Sequence, residues 1–285
     1  MIVPAYRRRE STRRALASLA AEGAPHVVLV DDEGSAGSGE FAGEFPRVDI
    51  IVTAKPVFWT GAIVLGIRRA LERGASSVLF FNQDVTFVPR SLERLAATSA
   101  HHPDALVGCA VLYAQEPARV WSAGGRVEWW GRGIPVLFHG ESVERLPSEP
   151  FPVDWLFGMG TLVPATVFSA IGLPDSETFP MAWGDTDFSL RARRAGLPLL
   201  VDPGARLLHE VGGYDARAAG PPSAGTYVGW LRSDSHNLSL KAHAEIWRRH
   251  GPRFLWPLSF ALRVLYLLVN YVRIRVLFPG EGGDA

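Results

Sequence analysis

The chain has 285 residues, 47% of them hydrophobic, which suffices for one large core, or one core with a smaller appended piece, and excludes a disordered polymer. Lysine plus arginine and aspartate plus glutamate each total 29, so the formal charge is zero and a nucleic-acid polymer, which demands a basic surface, is not an expected partner. The single cysteine, Cys109, lies in the apolar run LVGCAVLY and reads as a core thiol in a reducing, cytoplasmic setting.

At the front, MIVPAY runs straight into Arg7, Arg8 and Arg9, which is not the pattern of a signal peptide, and so abrupt a first strand predicts a few residues of chain ahead of it. IVPAY predicts a strand, followed by a helix from about Glu10 to Ala21 and the strand HVVLVDD. DIIVT is followed by a helix from about Gly61 to Arg73 and then by SVLFFNQD. Apolar strands alternating with helices predict an α/β fold with a mostly parallel sheet covered on both faces.

Ligands of such sheets collect at the carboxyl ends of the strands. That rule selects Pro4, Ala5 and Tyr6, then Asp31 and Asp32, then Asn82, Gln83 and Asp84. No Gly-rich phosphate loop follows the first strand, so a dinucleotide-binding dehydrogenase or a P-loop enzyme is disfavoured. Gly34, Gly37 and Gly39, after the second strand, read as a flexible turn. A nucleotide has another route in: Asp31 or Asp32 suits hydrogen bonds from a base or ribose, and Asp84 suits a divalent cation bridging a diphosphate. The competing reading of both groups is a turn closing a strand.

The middle of the chain, about Tyr113 to Val153, carries Trp121, Trp129 and Trp130, for which core packing is the simpler use. The segment Phe179 to Glu210 then puts Asp185 and Asp187 at an expected helix start and His209 at the end of an apolar run. Residues two apart on a helix point about 200° from each other, so the two carboxylates cannot share one ligand if the helix has begun at Asp185. With Asp185 at or near the N-cap, it looks into a cleft and stays ionised by the helix dipole, while Asp187 supports the first turn. Beyond residue 242 the character changes. Residues 254–278 are apolar, but Arg263, Arg273 and Arg275 interrupt them, and the longest uncharged stretch is nine residues. That is too short to span a bilayer and suits a helix lying in a membrane interface, a buried helix or a dimerising one.

Five blocks carry a resemblance in register: IVPAYRRRESTRRALASL, VVLVDDEGS, WTGAIVLGIRRALERGASSVLFFNQDV, VDWLFGMGTLVPATVFSAIGLPD and WGDTDFSLRARRAGLPLLVDPGARLLHEVGG. Together, over roughly residues 1 to 240, the chain resembles the family 2 glycosyltransferases, most of all their rhamnosyltransferase-like branch. The resemblance implies the GT-A fold, a nucleotide-diphosphate sugar donor, a divalent metal, inversion at the anomeric carbon, and a glycan or lipid-linked glycan as acceptor. A GT-A domain would cover 1–241, with a nucleotide-binding half to about 110 and an acceptor half after it, and 242–285 would be a helical extension.

Carried over residue by residue, the resemblance places Pro4, Ala5 and Tyr6 against the nucleobase, with Arg7 where the family has Asn. It gives Asp31 and Asp32 to base and ribose, and Gly61 and Gly66 to the neighbourhood of the diphosphate. It puts Asn82, Gln83 and Asp84 in place of the metal-binding Asp-x-Asp motif, with the first carboxylate lost. It implies Asp185 as catalytic base with Asp187 beside it, Gly184 standing where the family has Glu. Asp84 and His209 would be metal ligands, a set that suits Mn²⁺ somewhat better than Mg²⁺. Trp155 and Gly158 would line the acceptor side, with Trp183 as the ring-stacking residue. Two other functions stay open: a GT-A-like nucleotidyltransferase, which would want a basic Gly-rich loop after the first strand, and a non-catalytic nucleotide-sugar or membrane-binding module.

Overall fold

A computed structural model describes residues 1–211, 222–233 and 236–277. Its elements follow in chain order as β1 (Ile2–Ala5), α1 (Arg9–Ala21), β2 (Val27–Asp31), α2 (Phe41–Glu44), β3 (Val48–Val52), α3 (Phe58–Glu72) and β4 (Ser77–Phe80). Next come β5 (Val85–Phe87), α4 (Ser91–His101), β6 (Leu106–Tyr113), β7 (Val120–Ser122), β8 (Phe151–Pro152), β9 (Thr161–Pro164) and α5 (Ala165–Ile171). The chain continues through α6 (Gly184–Arg194), β10 (Leu199–His209), α7 (Ala224–Arg232), α8 (Leu240–His250) and α9 (Trp256–Leu277).

Among the described residues one sheet holds ten strands, with the main path β3-β2-β1-β4-β9-β6-β10-β5. The first four pair in parallel, as the βα alternation predicts. β9 then enters antiparallel between β4 and β6, after which β6 and β10 pair in parallel and β5 closes the edge antiparallel to β10. The sheet is therefore parallel at its front and mixed behind.

Period-two alternation sends successive side chains to opposite faces. Val3, Leu79 and Phe81 join Leu16 and Leu19 of α1 and Leu95 of α4 in one core. Ile2, Val78 and Phe80 join Ile63 and Ile67 of α3 and Phe168 and Phe188 of α5 and α6 in the other. Each large apolar side chain sealed in this way contributes about 1.5–3 kcal/mol relative to exposure. Gly66 sets the spacing of α3 on the sheet, because a Cβ there would lie 2.3 Å from the Ile2 side chain.

The chain divides into two compact units, 1–126 with 136–210, and 127–135 with 211–285. The boundary expected after residue 241 falls inside the second unit. In that unit Trp247 is fully buried, donates its indole N–H to Ser259 Oγ at 3.0 Å and meets Trp129 edge-on at 5.1 Å. Trp129 is thus the packing residue expected of it. Gly133, at φ +75°, leaves the space that Trp247 fills, since a Cβ there would lie 2.7 Å from the indole.

Candidate active site

The carboxyl ends of β1, β2 and β4 carry the residues expected there, and they divide into those that face one another and those consumed by the fold. Pro4 and Ala5 are buried in β1, whereas Tyr6 is exposed with the Arg7 guanidinium 4.8 Å from its ring centre. Gln83 clamps this turn: its Oε1 accepts the Tyr6 N–H and the Thr12 hydroxyl, and its Nε2 donates to the Tyr6 carbonyl. Gln83 is thus a positioning residue for the first loop.

The two aspartates at the end of β2, Asp31 in the strand and Asp32 just past it, are structural in their contacts. Asp31 is fully buried and accepts the N–H groups of Ala36 and Ser38, so the Gly34–Gly39 turn is tied down, where the sequence suggested a flexible one. Asp32 accepts the Thr53 hydroxyl and the N–H groups of Val57 and Phe58. Those N–H groups open α3, where the positive end of the helix favours an anion. Gly61 lies one turn further on, half-buried, and a Cβ there would come within 3.0 Å of Val57 Cβ.

After β4, Asn82 Oδ1 accepts the Trp59 indole N–H at 2.8 Å. Asp84 Oδ2 lies 3.8 Å from His209 Nε2 and 3.6 Å from Arg8 Nη1. Asp84 Oδ1 and His209 Nδ1 are both buried without a hydrogen-bond partner. β10 pairs with β5 so that His209 stands opposite Val85, next to Asp84, and the Glu210 N–H donates to the Asp84 carbonyl. His209 is further held by the Trp121 ring, edge-on at 4.7 Å, which in turn packs on Phe157 at 4.8 Å.

α6 begins at Gly184, with Trp183 at φ +73° as its N-cap residue. Asp185 is already helical and looks back toward the turn before β9: its Oδ2 accepts the Gly158 N–H at 2.8 Å and its Oδ1 accepts the Thr186 N–H at 2.7 Å. Burial pushes the Asp185 carboxyl above its ordinary value, outweighing the hydrogen bonds from Gly158 and Thr186 that pull it down. The expectation that the helix start would lower it is corrected on this point. Asp187 is fully buried and pairs with Arg191 Nε at 2.9 Å, while the Arg191 guanidinium donates to the carbonyls of Ile171 and Leu173. It staples α6 to the end of α5 and does not share the Asp185 direction, as the 200° separation requires.

Contacts join these pieces into one site. Gly158 N–H holds Asp185, and a Cβ on Gly158 would sit 2.2 Å from the Trp59 ring, whose N–H holds Asn82. From Phe157, next to Gly158, the aromatic line runs through Trp121 to His209 and Asp84. The Thr60 N–H donates to the Pro180 carbonyl, and Gly184 leaves room for the Thr60 side chain, so the start of α3 and the start of α6 are locked together. Trp155 is not part of the open surface: it is buried, edge-on to Phe157, with its ring over Gly125. Its expected place against an acceptor is corrected to core packing. Trp183 is half-exposed beside Asp185. Among the candidate site residues, Arg8 is one the sequence did not signal, and Trp121 is one for which it offered core packing as the simpler use.

The sequence model of glycosyl transferase family 2 matches residues 1–158. A dTDP-rhamnosyl transferase, RfbF of Shigella flexneri, is 22% identical over 195 residues, which are 68% of this chain and 63% of that protein, so the chain spans less than two thirds of that relative's length. The crystal structure of GalNAc-T7 with UDP, GalNAc and Mn²⁺ matches with a TM-score of 0.63 at 14% identity, over 95% of this chain and 53% of that one. S. aureus TarS 1–349 matches with a TM-score of 0.54 at 13% identity, over 96% of this chain and 72% of that one. Both neighbours are GT-A glycosyltransferases, and the α/β GT-A fold expected from the sequence is the fold observed.

Proposed function

The chain belongs to glycosyl transferase family 2, and from that premise we propose that it moves a sugar from a nucleotide-diphosphate donor to a hydroxyl of a glycan or glycolipid, with inversion. The observation that carries the proposal is the continuous line of contacts from Asp185 through Gly158 and Trp59 to Asn82, and through Phe157 and Trp121 to His209 and Asp84. It sets a carboxylate of raised pKa on one side and a carboxylate–imidazole pair on the other.

An inverting transfer needs a base for the attacking hydroxyl and positive charge for the departing diphosphate. Asp185 takes the first role. Its raised pKa makes it a stronger base than a solvated carboxylate, and the Gly158 and Thr186 N–H groups fix its direction. A divalent cation suits the other side: a buried carboxylate oxygen and a ring nitrogen lack partners, and oxygen with imidazole is a donor set for Mn²⁺. Asp84 and His209 would hold the ion, and when bound it would supply charge neutralisation to the diphosphate. Among the described residues no group of three His, Cys, Asp or Glu side chains is arranged to hold a metal, so donor oxygens would complete the shell. Arg8, beside Asp84, offers the same diphosphate a guanidinium fork. Tyr6, exposed on the turn that Gln83 clamps, presents a flat face to the nucleobase.

The likeness to a dTDP-rhamnosyl transferase supports rhamnose as the sugar, and a polysaccharide or glycolipid is the acceptor proposed with it. The deciding experiment is a nucleotide-sugar panel with Mn²⁺ or Mg²⁺, read as slow donor hydrolysis and as thermal stabilisation. Donor turnover that is lost in Asp185→Asn supports the proposal. Binding without turnover, unchanged in Asp185→Asn, favours a non-catalytic nucleotide-sugar module, a function to which the missing carboxylate at Asn82 also points.

A further inference from the structure

Helix α9 carries large side chains on both sides, but among the described residues only one side is covered. Ser259, Arg263, Leu267 and Tyr271 recur every fourth residue and face the second unit's interior. Ser259 accepts the Trp247 N–H and donates to the Trp129 carbonyl, Arg263 donates to the Arg132 carbonyl, the Leu267 carbonyl accepts the Tyr227 hydroxyl, and Tyr271 stacks on Tyr227 at 4.2 Å. On the outer side Leu258, Leu262, Leu265, Val269, Val272 and Val276 recur at steps of four and three and form one stripe along the whole helix. All six are exposed, from 38% at Leu262 to 71% at Val276. A continuous apolar stripe of this length marks an interaction surface.

The charges around the stripe identify its occupant. From Arg253 to Leu277 the chain has no acidic residue, and Arg253, Arg273 and Arg275 are exposed. At 100° per residue Arg273 and Arg275 flank the stripe on either side. A seam between two copies of the helix has the same four-three spacing, but such seams set acid against base at the flanking positions, and here only arginine is available. Apolar side chains in the centre with cations at the rim match the layering of an anionic bilayer surface. Among the described residues no helix is long and apolar enough to cross a membrane. We propose that the outer face of α9 docks in the interface of an anionic lipid membrane, with the stripe among the acyl chains and Arg253, Arg273 and Arg275 on the headgroups.

The test is flotation of the whole protein with phosphatidylcholine vesicles that contain or lack phosphatidylglycerol, with two variants of exposed positions, Val269→Glu and Arg273→Glu/Arg275→Glu. Circular dichroism melts check that each variant keeps its fold. The wild type is expected to float with phosphatidylglycerol vesicles and to be released by high salt. Val269→Glu abolishes flotation, and the double reversal weakens it by at least about 25-fold, since the loss of each positive charge alone is worth roughly fivefold. Flotation of both folded variants like the wild type, or no flotation of the wild type on phosphatidylglycerol, overturns the proposal. A dimer in sedimentation velocity that Val269→Glu dissociates also overturns it, because a second copy would then cover the face.

Discussion

At Asp185 two effects oppose each other. The Gly158 and Thr186 N–H groups favour the carboxylate, and burial disfavours it; burial is the larger, so the proton is held more tightly than by a free aspartate. A base must be ionised, so the acid limb of the kcat profile is expected above the ordinary carboxylate value of about 3.9, with activity rising through it as pH increases. Asp185→Asn is expected to lose on the order of 10²–10⁴ in kcat with nucleotide binding retained, measured by steady-state kinetics and calorimetry; a smaller loss would remove Asp185 from the role of base. Asn82 gives the complementary test on the metal side. Its Oδ1 already accepts the Trp59 N–H, which an aspartate would also satisfy. Asn82→Asp therefore adds an anion without disturbing that bond, and Mn²⁺ affinity in calorimetry is expected to tighten on the order of tenfold, about 1.4 kcal/mol. Unchanged affinity would separate position 82 from the ion.

Among the elements, α6 depends on the buried ion pair of Asp187 with Arg191. Asp187→Ala leaves the Arg191 guanidinium without its carboxylate partner at the α5–α6 corner, which is expected to cost about 3–5 kcal/mol in denaturant unfolding. A loss of activity at unchanged stability would instead place Asp187 in the reaction. This separation from Asp185 was legible in the sequence, because helix geometry alone puts residues two apart on different faces. The front strands and α1 were legible for the same kind of reason: buried runs and helical periodicity are local. What was not legible depends on partners distant in the chain. α3 starts at Phe58, ahead of the expected Gly61, because Asp32, just past β2, accepts the Val57 and Phe58 N–H groups. β9 runs antiparallel between β4 and β6, a register fixed by long-range pairing. Trp155 reads as an acceptor-side residue until Gly125, some thirty residues earlier, is found beneath its ring.

On the scale of the whole chain, each of the two units has its own interior, and that of the second holds a buried histidine. In the second unit His243 is fully buried, its Nδ1 lies 2.8 Å from the Ser239 carbonyl, and its ring stacks on Trp247. The carbonyl can only accept, so Nδ1 carries the proton of a neutral ring. Burial, with the nearby Arg263 charge, lowers its pKa to about 4 from an ordinary 6.5. Above 6.5 both folded and unfolded states keep the ring neutral and pH has no effect through this residue. Between 6.5 and about 4 the unfolded chain takes the proton first, so stability falls as pH falls, by roughly 3 kcal/mol across the window. Chemical denaturation followed by tryptophan fluorescence, at steps through that range, should show this slope for the transition that exposes Trp247. His243→Gln is expected to lower the midpoint at every pH through altered packing and to flatten the dependence by that amount. A slope that survives the substitution would assign the acid sensitivity to another group.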